Sequence, residues 1–322
     1  MNFELGPDEK ALIEAVREAL SRTDTLSATR SALDGAEPVH LWKEAVRGGW
    51  IDMPGLLYGV LVLIECGRRL APTGLLGHLT AIALLRRQGD HQVLPALLDG
   101  SKRAAYLPAN TLIENDVETP SSMSVFEHVP DAPGADVLVG DGPLVIEDFT
   151  VERVGGYDPS RPLGNVRVAS AVLGQEGYGW NVAQTLLAAE ALGTSEAALD
   201  LAVEYAKQRR AFGRAIGSFQ AIKHQLTDVL RLNENARSLI YYAAYAAENA
   251  PEEFGLAANA ARFAADQAID VSTRRCLSVH GGLGATWEHD AHLYFRRAQL
   301  TRLLLGGQAG AGERVVRHVI PG

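Results

Sequence analysis

The sequence predicts a mainly α-helical protein with a small β domain in the middle of the chain. Apolar residues follow helical spacing in residues 1–100 and again in residues 174–322, whereas residues 101–173 form short alternating runs punctuated by Pro, Gly and Asp. We therefore expect an N-terminal helical domain, a reduced antiparallel β domain and a C-terminal four-helix bundle. With 322 residues, 47% of them hydrophobic, the chain is long enough for roughly two domains with a sizeable core.

The N-terminal region carries the signals of several helices. Pro7 can start the first one, because proline is tolerated in the first helical turn. Residues 21–38 are polar and are expected to form a weakly ordered loop, and Pro72 closes the most apolar of the helices. Helices are expected from residue 7 and over 39–48, 56–71, 74–88 and 91–99.

The middle region reads as strands, and the final region reads as long Ala-rich helices. Asp141-Gly142 is a plausible hairpin turn between two alternating runs. Strands are expected within 124–129, 135–140, 143–154 and 165–173. The four C-terminal helices are expected over 176–209, 217–249, 255–280 and 288–304.

Composition excludes some classes of function and bounds the cellular location. The formal net charge of −9 argues against non-specific nucleic-acid binding. No run of 18 apolar residues occurs and the N-terminus has no apolar core of signal length, so neither a membrane span nor a secretory signal is expected. Cys66 and Cys276 are the only cysteines, without a CxxC motif, which favours a reducing cytoplasm.

A basic cluster at 205–220 (YAKQRRAFGRAIGSFQ) stands out in this acidic chain. Arg209 lies where a long helix ends, and its guanidinium suits bidentate pairing with phosphate oxygens. Phe212 can pack on a flat ring, Gly213 allows a sharp turn, and Gln220 begins the next helix. The alternative is a solvated helix end, where the helix dipole favours cations.

A second cluster lies at 278–307 and combines glycines with histidines. Gly281 and Gly282 at a helix end permit close approach of the backbone to a ligand, although such glycines also form ordinary helix caps. His280, His289 and His292 invite a metal interpretation, but a fourth ligand is lacking, so no metal site is expected.

Together these two segments resemble the C-terminal bundle of the acyl-CoA dehydrogenase family. The resemblance rests on Y-x3-R-x2-FG-x2-I-x3-Q at 205–220 and on HGGLG at 280–284 followed by YFRRA at 294–298. The segment from 49 to 72, GW…G…LLYGVLVLIECGRRLAP, resembles the family's N-terminal helical domain. The likeness therefore covers most of the chain, and the helix–sheet–helix order agrees with it.

The resemblance implies a chemistry and a cofactor. In this family a glutamate removes the α proton of an acyl-CoA thioester while hydride leaves the β carbon for FAD. The residues that match the family's contacts to the pyrophosphate and adenosine end of FAD, often across a dimer interface, are Arg209, Phe212, Gly213, Gln220, His280, Gly281 and Gly282.

The family's catalytic positions are empty in this sequence. Alignment on the RRA motif places Leu305 at the usual glutamate, and Ala183 with Gln184 occupies the position used by other members. The nearest helical carboxylate, Glu190, is seven residues past Ala183, about 10 Å further along the helix axis. It could be a displaced base or a paired polar residue within the bundle.

Further departures affect the flavin-ring side of the family's pattern. We find neither its Thr-Glu-Pro run with Gly-Ser-Asp nor its Trp-Ile-Thr/Ser segment between 101 and 173, and Ser278 replaces its glutamine.

The resemblance thus implies the base-less subunit of an actinobacterial α2β2 heterotetramer that acts on sterol side-chain CoA thioesters. A catalytic partner subunit would supply the glutamate and ring pocket, and an electron-transfer flavoprotein or similar acceptor would take the electrons. The alternatives are a self-sufficient flavoenzyme with Glu190 as base and a flavin-free assembly protein.

Overall fold

The computed structural model describes residues 4–89, 91–108, 112–113, 123–142, 144–169 and 177–320. Helices surround a small β region, as the sequence predicts. The N-terminal helices are α1 (Pro7–Ser21), α2 (Thr25–Leu33), α3 (Trp42–Arg47), α4 (Leu56–Arg68), α5 (Leu75–Gln88) and α6 (Leu94–Leu98). The C-terminal helices are α7 (Tyr178–Gln208), α8 (Gln220–Asn249), α9 (Pro251–His280), α10 (Ala291–Thr301) and α11 (Gly307–Val319).

Helix α2 lies within the segment that was expected to be a loop, so that expectation is wrong. The Asp24 carboxylate accepts a hydrogen bond from the Ser27 N–H at 3.0 Å and caps the helix. The buried Thr25 and Thr29 hydroxyls donate to the carbonyls of Arg69 and Thr25. Capping and buried hydroxyl contacts, rather than apolar periodicity, therefore stabilise this helix.

The β region forms two sheets and a separate two-stranded hairpin. Its strands are β1 (Ala104–Leu107), β2 (Leu112–Ile113), β3 (Met123–Pro130), β4 (Val137–Gly140), β5 (Leu144–Ile146), β6 (Phe149–Val154), β7 (Leu163–Ala169), β8 (Arg210–Ala211) and β9 (Arg214–Ala215). The strand orders are β1-β4-β5, β2-β3-β7-β6 and β8-β9. The hairpin at Asp141-Gly142 is confirmed, because β4 and β5 pair antiparallel across it.

Two expectations for the β region need correction. β1 and β4 pair in parallel, so the region is not wholly antiparallel. The Arg103 carbonyl accepts from the N–H groups of Asp136 and Val137 and aligns the beginnings of these two strands. The strand predicted over 143–154 is two strands, β5 and β6, which belong to different sheets. The predicted domain limit at 173/174 and the end of the 165–173 strand lie outside the described residues.

The C-terminal region contains five helices in its described part, rather than four. The helix predicted over 288–304 ends at Thr301, and a 3₁₀ turn (Leu304–Gly306) leads into α11. Leu305, Gly306 and Gly307 all have positive φ, at 52°, 78° and 58°, so the helix cannot continue through them. A short left-handed stretch therefore redirects the chain.

Helices α4 and α7 cross in backbone contact and join the N-terminal helices to the bundle. A Cβ added to Gly193 would lie 1.8 Å from the Ile64 carbonyl oxygen, and one added to Gly67 would lie 2.0 Å from the Glu190 carbonyl oxygen. Only glycine permits that approach. The same large apolar core extends through α4, α5, α7, α8 and α9.

The β region is attached to α7 by a buried carboxylate. Asp141 accepts hydrogen bonds from the backbone N–H of Gly179 at 2.9 Å and of Trp180 at 3.1 Å, and from the Tyr106 hydroxyl at 2.5 Å. A carboxylate at a helix N-terminus also interacts favourably with the helix dipole. The hairpin that carries Asp141 therefore fixes where α7 begins.

A buried ion cluster forms a second attachment. Asp158, Ser160 and Arg161 come from the loop between β6 and β7, Glu190 comes from α7, and Arg297 comes from α10. Glu190 pairs with both arginines, and Arg297 also contacts the Asp158 carboxylate at 2.5 Å and the Ser160 hydroxyl at 2.7 Å. The Arg297 guanidinium and the Ser160 hydroxyl beside it hold the pKa of Asp158 below its ordinary value despite its burial. The two guanidinium groups thus pair with two carboxylates in a water-excluded place, and the buried Asp131 lies near both arginines.

Among the described residues, no helix combines the length and apolarity needed to cross a bilayer. The cytoplasmic location and the domain limit at 100/101 stay predictions.

Candidate cofactor site

The basic cluster folds into a small hairpin at the end of α7. Arg209 leaves the helix in an extended conformation, and β8 and β9 pair antiparallel around a two-residue turn. That turn consists of Phe212 and Gly213, with φ of 50° and 79°. Two successive positive φ values are what a tight hairpin turn requires. A Cβ on Gly213 would meet nothing within 4 Å, so the turn projects into open space.

Phe212 is the most exposed large apolar side chain among the described residues, at 96% exposure. A left-handed conformation is unfavourable for a bulky residue and costs of the order of 1–3 kcal/mol. The ring has one aromatic neighbour, Phe219, whose centroid lies 6.2 Å away in an edge-to-face arrangement. The fold gains little from this residue by itself, and such strained, exposed positions are typical of binding sites.

The cations of the hairpin are available to an anion. Arg209 and Arg210 are exposed, and no carboxylate of the described chain lies within ion-pair distance of either. The Arg214 guanidinium lies over the Phe219 ring, 4.2 Å from its centroid. Gln220 follows at the first position of α8 and is also exposed. The exposed cations, Phe212 and Gln220 thus lie within one short segment between the end of α7 and the start of α8.

The glycine segment lies at the end of α9. Gly281 has a φ of 60°, and a Cβ at either Gly281 or Gly282 would meet nothing within 4 Å. The backbone there is therefore open to a ligand. Tyr205, one turn before Arg209, has its ring centroid 4.3 Å from that of His280. The structure thus brings the hairpin and the glycine segment to the same end of the bundle.

His280 is buried, unlike the other residues predicted to bind FAD. Its Nδ1 donates to the Cys276 carbonyl at 2.7 Å, and its ring also packs against His289 at 4.3 Å between centroids. Its side chain therefore positions the glycine segment within the bundle. No group of three or more His, Cys, Asp or Glu residues in the described chain is arranged to hold a metal ion.

The two positions aligned with the family's catalytic base meet in space. The Gln184 side-chain amide donates to the Leu305 carbonyl at 2.8 Å, so Ala183 and Leu305 lie on the two elements that face each other. Ala183 is 1% exposed and Leu305 is 5% exposed. Neither side chain can accept a proton. Leu305 keeps the left-handed conformation described above, although leucine disfavours it.

Glu190 does not reach this place as an available carboxylate. Its two oxygens accept from Arg161 and Arg297, and its side chain is 6% exposed. Guanidinium groups engage both carboxylate oxygens in a buried place, so this side chain is not positioned to take a proton from a substrate. The geometry matches the interpretation of Glu190 as a paired residue of the bundle.

A cavity of about 310 Å³ lies between α4, α5 and α7. Its wall includes Gly59, Leu79 and Leu186, and Leu186 is three residues after Ala183 on α7. Arg87 lies over the Tyr178 ring at 4.6 Å beside it. The cavity is mainly apolar, with Arg86, Arg87 and the carboxylate Glu248 at its edge, and it suits an apolar chain.

Sequence reasoning missed several contributors to these sites. The stacking of Arg214 on Phe219 depends on the hairpin, which two-residue strands do not reveal by periodicity. The partners of Glu190 come from segments far apart in sequence, and the YFRRA motif indicated Arg297 only as an alignment point. The flavin-ring motifs sought between 101 and 173 fall partly on residues 109–111, 114–122 and 170–173, outside the described residues.

Comparison with known proteins agrees with this fold. Residues 169–320 match the model of the acyl-CoA dehydrogenase C-terminal domain. Acyl-CoA dehydrogenase IpdE2 of Mycobacterium tuberculosis is 32% identical over 321 residues, which cover 93% of this chain and 93% of that protein. The IpdE2 of Mycolicibacterium smegmatis is 30% identical over 320 residues, covering 94% and 96%.

Solved structures also share the fold of this chain. A variant of the Tcur3481-Tcur3483 steroid ACAD superposes with a TM-score of 0.84 at 25% identity, covering 98% of each chain. The ChsE4-ChsE5 complex from Mycobacterium tuberculosis gives 0.84 at 22% identity over the whole of both chains, a likeness of fold alone. Because relatives with 30% identity or more span nearly the entire chain on this fold, the protein belongs to the acyl-CoA dehydrogenase family of flavoprotein oxidoreductases that act on CH–CH bonds.

Proposed function

We propose that this chain is the base-less subunit of a heteromeric, FAD-dependent acyl-CoA dehydrogenase and completes the FAD site of a catalytic partner. One observation carries the proposal. The position expected to hold the catalytic glutamate is a buried leucine, Leu305, whereas the residues expected to hold the nucleotide end of FAD, except His280, are exposed to solvent. A half-site of this kind needs a second chain to contribute the reactive centre.

The residues present fit the nucleotide end of the cofactor. Arg209 would bind the diphosphate, the exposed Phe212 ring would pack on a flat group of the cofactor, and the open backbone at Gly281-Gly282 would approach it closely. Gln220 would add a contact from the start of α8. When bound, FAD accepts the hydride that leaves the β carbon of the acyl group. This chain would hold and orient it, and the partner subunit would supply the base.

The substrate we propose is an acyl-CoA, with a sterol side-chain CoA thioester as the specific class. The support is the relationship to the steroid ACAD structure and the apolar cavity with arginines at its edge. We propose in addition an α2β2 assembly and an electron-transfer flavoprotein or similar acceptor, which the family resemblance of the sequence implies. Titration of the purified complex with acyl-CoA esters of different chain shapes would identify the acyl group.

The first test of this function is the flavin content of the protein with and without its partner. An affinity-tagged chain, purified from cells that also express a catalytic acyl-CoA dehydrogenase chain of the same organism, should yield a yellow complex of two unlike chains. Alone, this chain should be colourless and inactive. Native mass measurement and the flavin-to-protein ratio check both expectations. A yellow, active homo-oligomer of this chain would refute the proposal.

The variant Arg209→Ala tests the site itself. A charge-assisted hydrogen bond contributes about 1.5–3 kcal/mol, so the complex with Arg209→Ala should retain at least about tenfold less flavin under dilution. Unchanged flavin content in the intact complex would instead support a flavin-free assembly role for this chain.

A further inference from the structure

The hairpin of the candidate cofactor site has two faces, and its arginines divide between them. β8 and β9 pair Arg210 with Ala215 and Ala211 with Arg214. The Ile216 N–H donates to the Arg209 carbonyl at 2.8 Å and extends the same ladder by one rung. Residues opposite each other share a face and successive rungs alternate, so Arg209 and Arg214 emerge on one face and Arg210 on the other.

The two arginines of the shared face are diagonal neighbours. Such pairs lie about 7–8 Å apart at their Cα atoms, within the reach of two long side chains that converge on one ligand. Two guanidinium groups on the same face would repel each other unless an anion lay between them. No carboxylate of the described residues forms an ion pair with either one. This face is therefore suited to an anion with two charged groups.

Arg214 is also held in place. Its guanidinium lies 4.2 Å from the centroid of Phe219, the residue that precedes α8 and Gln220. Phe219 in turn contacts the exposed Phe212 ring edge to face. Stacking on an aromatic ring leaves the in-plane N–H donors of a guanidinium free to bind an anion. The fold thus places the Arg214 side chain near Arg209, Phe212 and Gln220 of the candidate site.

We infer that Arg214 is a second diphosphate ligand, which binds one phosphate of the dinucleotide while Arg209 binds the other. The inference rests on the proposed function and adds a residue that the sequence motif did not assign. Arg210, on the opposite face of the same hairpin, makes no contact with the diphosphate. It is therefore a matched control with the same charge, similar exposure and nearly the same position in the chain.

The test uses the complex co-purified with the tagged chain, stripped of flavin and titrated with FAD while flavin fluorescence is followed. We expect Arg214→Ala to raise the FAD dissociation constant by at least about tenfold, and Arg210→Ala to change it less than about twofold. Arg214→Lys keeps the positive charge but loses the paired guanidinium donors, so its FAD dissociation constant should lie between those of the wild type and Arg214→Ala. Gel filtration verifies that each variant still assembles.

Competition by ADP and by AMP separates a diphosphate contact from a general loss of the site. We assign to Arg214 the phosphate on the flavin side, which ADP has and AMP lacks. Arg214→Ala should therefore weaken competition by ADP and leave competition by AMP nearly unchanged. If Arg214→Ala and Arg210→Ala change the FAD dissociation constant equally, the inference is overturned. If Arg209→Ala also leaves FAD binding unchanged, the proposed function fails. If Arg209→Ala alone weakens binding, the function stands and Arg214 is not a ligand.

Discussion

Replacement of Glu190 by glutamine tests the buried ion cluster and the function of this residue together. The variant keeps the shape of the side chain and removes the carboxylate that pairs with both Arg161 and Arg297. Asp158 still pairs with Arg297, but Arg161, whose side chain is 3% exposed, loses its ion-pair partner and keeps only the more distant buried Asp131. A guanidinium group is then left without a paired carboxylate in a place without water.

Removal of one partner from a buried ion pair costs about 3–5 kcal/mol, because the remaining charge is desolvated without compensation. For a chain of 322 residues, the entropy of unfolding makes each kcal/mol worth roughly 1.5 °C in melting temperature. We therefore expect Glu190→Gln to lower the melting temperature by about 5–8 °C. The loss should appear in the isolated chain and in the complex.

Thermal unfolding followed by circular dichroism measures this difference. Glu18→Gln is the control, because the Glu18–Arg22 pair is exposed and should contribute less than about 1 kcal/mol. A Glu190→Gln variant that melts like wild type, keeps its flavin and loses turnover would refute the reasoning. Glu190 would then be the displaced base of a self-sufficient enzyme, not a structural ion-pair partner.

Three further perturbations have defined outcomes. Gly193→Ala should reduce soluble expression or lower the melting temperature more than Glu190→Gln does, because its Cβ would overlap the Ile64 carbonyl; an unchanged melting curve would contradict this. Burial, with Arg103 nearby, lowers the pKa of His78 to about 3. The neutral imidazole therefore makes its full contribution to the free energy of unfolding above the unfolded-state pKa of about 6.5, and this contribution is lost as the pH falls below that value. Between pH 7 and pH 5, His78 should lower the free energy of unfolding by about 2 kcal/mol. Urea unfolding at both pH values should show this decrease in the wild type, and His78→Gln should lack it. Phe212→Gly should stabilise the isolated chain by up to about 1 kcal/mol through relief of backbone strain, yet weaken flavin retention in the complex. If the variant complex retains flavin like the wild type, Phe212 does not belong to the cofactor site.

The order of helices and strands could be predicted because apolar periodicity records which faces are buried. The long apolar run of α4 and the Ala-rich α7 are clear examples. Helix α2 was missed because its stability comes from an Asp24 cap and threonine contacts, which polar composition conceals. Helix α11 was missed because the glycine-rich sequence at its start, with Gly306, Gly307, Gly310 and Gly312, is typical of a loop. The parallel β1–β4 pairing depends on tertiary contacts.

The candidate site could be predicted as a set of residue types and not as an arrangement. Arg209, Phe212 and the glycines at 281–282 carry a motif that the sequence displays directly. Which arginines share a face depends on the ladder register of a two-residue strand, which no periodicity reveals. Likewise, a charged residue such as Glu190 reads as a candidate base until its distant arginine partners are placed beside it.

The glycine crossing of α4 and α7 has a mechanical consequence. Two helices whose backbones touch at Gly67 and Gly193 have no layer of side chains between them to shear or repack. The N-terminal helices and the bundle must then move as one rigid block. Any movement that admits a bulky ligand must then come from elements outside this crossing, such as the loops and strands that pack on the block.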